Sequence, residues 1–220
     1  MNKLILPDCV LWDMDGTLID QSKSIIKCYE NVFLSLKITP LPSPIQIKKT
    51  LGGPMESTLR SFVSDDSIEL AAKKFREQFQ DYLLKDLLVL DGAHELMSKL
   101  NEIGVPQAIL TNKLGSNARA IQVHCEFNKY ISICLGNKDT CYQKPDPNFT
   151  YAALNLMGKS EDFKEILVIG DSPTDIITAK NIGAKCYAIA TGAHDKNELN
   201  SNGADKVFDN LNQLLEFWSI

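Results

Sequence analysis

The sequence predicts a doubly wound α/β fold, a parallel sheet flanked by helices, with an all-helical segment inserted after the first strand. Three observations predict it. Short apolar runs at 8–12, Val105–Leu110, Tyr130–Leu135, Ile166–Ile169 and Lys185–Ile189 lie between longer stretches of helical period, the alternation that parallel strands joined by crossover helices produce. The stretch from roughly 20 to 88 carries helical periodicity and no strand signal. At 220 residues and 44% apolar, the chain can build one full core and a smaller lobe, but not three domains. The expected boundaries are 1–18 and 89–220 for the sheet-bearing core and 19–88 for the helical lobe.

In chain order, the apolar run 8–12 ends at Asp13 and reads as a buried strand feeding a loop. Ser24–Leu36 places Ile25, Ile26, Tyr29, Val32, Phe33 and Leu36 on one helical face. Ser43-Pro44 and Gly53-Pro54 read as helix starts with proline at the first helical position. Ile68–Leu84 repeats the amphipathic pattern through Ala72, Phe75, Phe79, Tyr82 and Leu83, so the lobe's apolar faces are expected to pack on one another. Asp91 precedes a helix carrying Leu96, Leu100 and Ile103, and Gly104 suits its left-handed end. Trp218, with Leu214, Leu215 and Phe217, is expected to anchor a C-terminal helix, and Trp12 to wall the core side of the first strand.

Bulk properties exclude several classes. A formal net charge of −5 gives no basic footprint, so neither nucleic acid nor an anionic membrane surface is an expected partner. No run of eighteen apolar residues occurs, and the N-terminal stretch, broken by Pro7 and Asp8, does not read as a signal peptide. The six cysteines show no CxxC pairing, which fits reduced thiols and a cytoplasmic location. His94, His124 and His194 match no motif and read as structural or surface residues.

The chemistry concentrates at strand ends. Asp13 and Asp15, two apart on extended backbone, point to the same side, and Gly16 permits the tight turn that follows. Thr111-Asn112 follows the second predicted strand of the core, Lys144-Pro145 precedes the helix 147–157, and Gly170-Asp171-Ser172-Pro173-Thr174-Asp175 follows strand Ile166–Ile169. Each alone is equally well read as a cap, a turn or a solvated charge. Together they gather acidic, hydroxyl and cationic groups on one carboxyl edge, where open α/β sheets bind ligands.

With these four motifs in this order, the chain resembles the haloacid dehalogenase-like hydrolase superfamily, in its phosphoglycolate phosphatase-like branch with a helical cap of the C1 type. The resemblance runs over nearly all of the core, through TGA at Thr191–Ala193 and GAD at Gly203–Asp205, and is weaker in the cap. It implies a Rossmann-like sheet core and Mg²⁺ held by the carboxylates of Asp13 and Asp171 and the backbone carbonyl of Asp15. Asp13 is then the nucleophile, forming an aspartyl-phosphate, and Asp15 the acid/base. Thr111 and Asn112 are phosphate donors, Lys144 supplies a point charge, and Asp175 orients Lys144 or metal-bound water. The cap loop with Gly53, and Arg60 beyond it, are candidate contacts to the leaving group, with Lys48 and Lys49 nearby. Of the two readings of Arg60, a solvated helix-face charge is the favoured one.

Asp15 separates this pattern from dehalogenases, which lack an acid there, and from ion-pump ATPases, which carry threonine. Ile25 stands where β-phosphoglucomutase-type mutases have histidine, which favours hydrolysis. The expected substrate is a small phosphorylated metabolite such as phosphoglycolate, with sugar phosphates, nucleotides and pyrophosphate as alternatives, and the expected state a monomer or weak homodimer. A receiver-like or silent phospho-ligand-binding protein is the non-enzyme alternative. Gln21 departs from the small hydroxyl residue of relatives, and Lys113 completes a TNK resembling phosphoglycolate phosphatases.

Overall fold

A computed structural model of the chain describes residues 6–158 and 163–219. It opens with β1 (Cys9–Trp12), followed by the short β2 (Ile19–Asp20). Four helices follow: α1 (Ser22–Ser35), α2 (Pro44–Lys48), α3 (Met55–Arg60) and α4 (Ile68–Phe79). After β3 (Leu88–Val89) come α5 (Ala93–Glu102), β4 (Gln107–Leu114), α6 (Gly115–His124), β5 (Ile133–Asn137) and α7 (Pro147–Met157). The chain ends with β6 (Ile166–Gly170), α8 (Pro173–Asn181), β7 (Lys185–Ile189), α9 (Lys196–Ser201), β8 (Lys206–Phe208) and α10 (Leu211–Trp218).

Six strands form a parallel sheet in the order β5-β4-β1-β6-β7-β8. β1 is central, and its side chains alternate between two cores. Val10 and Trp12 join Leu96, Met97, Leu100, Ile121 and Leu214 on one face. Cys9 and Leu11 join Phe149, Leu154, Ile176 and Leu199 on the other. Burial on both faces is why the strand reads as an unbroken apolar run. Trp12 is fully buried, its indole N–H donating to Gln107 Oε1 at 3.0 Å, and Trp218 closes the first core from α10. All six cysteines are free thiols, with Cys141 alone exposed. No helix among the described residues is long and apolar enough to cross a membrane.

The α/β fold class is the one observed, with some elements displaced. β4 starts at Gln107, not Val105, because Pro106 has no N–H to give to the ladder. It also continues past Leu110, through a register shift, so Thr111 and Asn112 lie within the strand's length but beyond its regular pairing. β5 begins later than expected because Phe127–Lys129 make a 3₁₀ turn. β8 was not anticipated; three residues led by a lysine carry little strand signal. The stretch 20–88 is not wholly helical, since β2 and β3 pair antiparallel where the chain leaves and re-enters the core.

Within that stretch, Ser43 caps α2 through a reciprocal box with Gln46, and Pro44 takes the first helical position. Pro54, by contrast, is the residue before α3 and not its first. Tyr29, Phe33, Phe75 and Phe79 form the centre of a third hydrophobic cluster, built by residues of this stretch alone. Gly92, with φ +87°, precedes α5 in place of Asp91, and Gly104 takes φ +77° after it.

Candidate active site

The carboxyl ends of β1, β4 and β6 converge on a cleft of about 200 Å³ whose opposite wall is helical. Asp13, Asp15, Gly16, Thr111, Asn112, Lys144 and Asp171 line its floor, with Gly53 and Lys48 on the helical side. Arg60 does not reach it. Its guanidinium bonds Asp65 at 2.9 Å on the surface, so the solvated reading of that residue is the one the structure supports.

Asp13 is fixed where β1 ends, its amide donating to Ile169 O of β6 at 2.8 Å. Lys144, which follows β5 and precedes α7, buries its ammonium between two carboxylates, 2.7 Å from Asp13 Oδ1 and 2.7 Å from Asp175 Oδ1. Asp175 spends its other oxygen on the amide and hydroxyl of Ser172, at 3.1 and 2.6 Å, closing the capping box of α8. Both Asp175 oxygens are therefore engaged, and its position suits a residue that orients Lys144. Asn112 holds the same segment by donating to Lys144 O at 3.3 Å, and Thr111 Oγ1 accepts the Lys113 amide at 3.2 Å.

Two glycines are required by close approach. Gly16 sits at φ +81°, and a Cβ there, or at Gly192, would run into the Asp171 carboxylate. Thr191 fixes the two loops to each other by donating to Gly16 O at 2.5 Å.

The electrostatics are unbalanced. Burial pushes the Asp13 carboxyl up to about 6, against the pull of Lys144, and the charges of Asp175 and Asp15 add to the rise. Burial also drives Asp171 well above the ordinary carboxylate value, reinforced by Asp13 and Asp175. For Lys144, burial opposes the charge, but Asp13 and Asp175 overcome it and hold the ammonium above the usual lysine value. Lys144 thus contacts Asp13 and Asp175, and Lys113 contacts Asp15, while the fourth carboxylate, Asp171, feels Lys144 only at a distance. With all four ionised, negative charges would outnumber the ammonium groups in a largely buried place, which is costly without a further cation. Ligand oxygens of Asp13, Asp171 and Asp175 lie within 4.8 Å of one another, and Asp171 Oδ1 is buried with no hydrogen-bond partner among the described residues. An all-oxygen donor set with a buried orphan oxygen fits a hard divalent cation.

Sequence reasoning missed the contacts of Lys113 and Gln21. The Lys113 ammonium lies 3.0 Å from Asp15 Oδ2 and 3.0 Å from Gln21 Oε1. Both residues were visible as peculiarities of the sequence, but no spacing signals that positions 92 residues apart will meet. His194, expected to be structural or superficial, pairs with Glu198 at 2.8 Å, and a Cβ on Gly52 would lie 3.2 Å from its Nε2.

A parallel sheet that gathers acidic and lysine side chains at its carboxyl edge, under a helical insertion, defines a hydrolase of the phosphatase-like α/β type. The chain belongs to the haloacid dehalogenase-like hydrolase family, whose model matches residues 10–189. It is 28% identical to a phosphoglycolate phosphatase of Vibrio parahaemolyticus, covering 94% of each chain. It is 29% identical, over 94% of its own length and 92% of the other, to a Caldanaerobacter subterraneus protein provisionally named pyrophosphatase PpaX. In fold it resembles a haloacid dehalogenase-like family hydrolase from Streptococcus pneumoniae, with TM-score 0.85 at 22% identity over 96% of this chain and 97% of that one. It also resembles CbbY from Rhodobacter sphaeroides, solved with phosphate, with TM-score 0.79 at 17% identity over 98% and 100%.

Proposed function

We propose that the chain is a Mg²⁺-dependent phosphatase that hydrolyses a small phosphomonoester through an aspartyl-phosphate on Asp13. The observation that carries this reading is the buried Asp13–Lys144–Asp175 chain beside Asp171, with Asp15 two residues beyond Asp13 in the same cleft. The Asp13 and Asp171 carboxylates and the Asp15 carbonyl would hold the ion, which supplies positive charge to the phosphoryl oxygens when bound.

The remaining steps belong to the chain's own side chains. Lys144 and the polar groups of Thr111 and Asn112 bind the phosphoryl oxygens, so that a dianion can approach a carboxylate nucleophile. An Asp13 oxygen attacks phosphorus as the bond to the leaving oxygen breaks, and Asp15 gives that oxygen its proton. Asp15 then takes a proton from the attacking water, phosphate leaves, and Asp13 is regenerated. Residues 19–88 act as a cap that covers the leaving group, and residues 1–18 and 89–220 form the catalytic core.

We put phosphoglycolate first among substrates, with pyrophosphate among the alternatives; relatives named for each support both. A mutase reading is disfavoured, because Ile25 and not histidine lines the cleft from α1. The test is turnover of a generic phosphomonoester with Mg²⁺. Wild-type turnover that disappears with Asp13→Asn and with chelator supports the reading; failure of every phosphomonoester in a metabolite panel sinks it.

A further inference from the structure

Lys113 has no part in holding phosphate in the scheme above, yet it is one of the most constrained groups in the cleft. Its side chain is 7% exposed, against 31% for Asp15. Three elements hold it. Asp15 Oδ2 and Gln21 Oε1 each accept from its ammonium at 3.0 Å, and the ring of Phe79, at the end of α4, lies beneath it with its centroid 4.9 Å away. Gln21, fully buried, turns its amide N–H groups to Leu83 O and, at 3.4 Å, to Tyr82 O. Those carbonyls belong to the segment that returns the chain from the helical insertion to β3.

Asp15 has Oδ2 tied to Lys113, and its other oxygen, Oδ1, is buried with no hydrogen-bond partner among the described residues. A carboxylate on a turn can exchange between staggered χ1 rotamers and turn broadly about χ2 unless something anchors it. The lysine anchors one oxygen and so fixes the orientation of the carboxylate, on which proton transfer depends.

Resting on the hydrolytic reading above, we propose that Lys113 is the positioning residue for Asp15, and that Gln21 sets Lys113 from the segment joining the insertion to the core. Lys113 therefore serves the proton-transfer carboxylate as Lys144 serves the nucleophile. The device is specific to these two side chains, since a small hydroxyl residue at position 21 could not span from Leu83 O to an ammonium.

The test compares two substrates with opposite needs. 4-Nitrophenyl phosphate has a leaving group stable without a proton, whereas the alkoxide of glycerol 2-phosphate must be protonated. Wild type, Lys113→Met, Lys113→Arg and Gln21→Met, each full length with saturating Mg²⁺, are assayed for kcat and KM on both, and for the rapid burst of 4-nitrophenolate. Methionine keeps length and contact with Phe79 while removing the tether. Lys113→Met should lose at least about tenfold in kcat on glycerol 2-phosphate, keep KM within about threefold, and keep the burst rate within about threefold, since phosphoryl transfer to Asp13 needs no proton there. Lys113→Arg should recover most of the loss, and Gln21→Met should show a smaller loss of the same kind. An equal fall in the burst rate, an unchanged kcat on glycerol 2-phosphate, or a loss confined to KM overturns the proposal. Circular dichroism melts identify a variant that fails to fold; Gln21→Met then decides by the same ratio of losses. A wild type without turnover, or a burst that survives Asp13→Asn, would instead overturn the hydrolytic reading itself.

Discussion

The sheet edge and the helical insertion face each other across one cleft, but they are built on opposite principles. At the edge, side chains are fixed by charge and hydrogen bonds: Lys144 is shared between Asp13 and Asp175, and Asp175 is locked by Ser172. In the insertion, position comes from packing, with Phe33 against Tyr29 and Phe62, and Phe75 against Tyr29 and Phe79. A polar network fails sharply when one member is removed, because the others are left buried and unpaired. A packed helical cluster fails by degrees and tolerates exchange of its apolar residues as long as volume is kept. Under the proposed reading, the difference separates a half that holds the reacting groups from a half that covers them.

The largest expected effect breaks the edge at its centre. Lys144→Met leaves Asp13 and Asp175 buried without their ammonium, so kcat/KM should fall about a thousandfold. Stability in the absence of Mg²⁺ should drop by about 3–5 kcal/mol, read as a shift in the urea midpoint. If the midpoint stays put, Lys144 is not compensating those carboxylates. Asp175→Asn is the milder version: Lys144 keeps Asp13 but loses its orienting carboxylate, and kcat should fall about 10–100-fold. The weakened cap of α8 should cost about 1 kcal/mol. Equal kcat losses in the two variants would mean that Asp175 does more than orient the lysine.

How far the sequence announced these two halves follows from the range of the interactions. Asp13, Asp15 and Asp171-to-Asp175 sit at ends of apolar runs in short motifs, so local spacing alone puts them on one edge, and the structure brings them together. The insertion's helices were legible for the same reason, through Tyr29, Phe33 and Phe75 at helical spacing. The antiparallel β2–β3 pair was not, since two-residue strands have no periodicity. Nor was the Gln21–Lys113–Asp15 link, whose members come from three separate segments and depend on where the insertion rests on the core.

Phe33→Ala sharpens the contrast from the other side. Phe33 is fully buried inside the insertion, so its truncation should cost about 3–5 kcal/mol of stability, seen as an earlier urea transition for that part. It touches no group of the sheet edge. Below the transition, kcat per folded molecule should therefore stay within about threefold, since surface and packing changes away from reacting groups leave transition-state contacts intact. A collapse of kcat in protein that remains folded would show that the packed half also sets the chemistry.

Arg60→Ala should have the smallest effect, although charge alone would nominate Arg60 as an anion receptor. Its side chain is 63% exposed and its partner Asp65 is 85% exposed, so water competes for both groups and the pair contributes about 0–1 kcal/mol. An arginine that reached phosphate across the cleft would instead be desolvated and bidentate, and its loss would raise KM. The cleft's helical wall draws its cations from Lys48 and Arg76, so KM and kcat of Arg60→Ala should match wild type within about twofold. A tenfold rise in KM would require α3 to swing Arg60 off Asp65 and into the cleft when substrate binds.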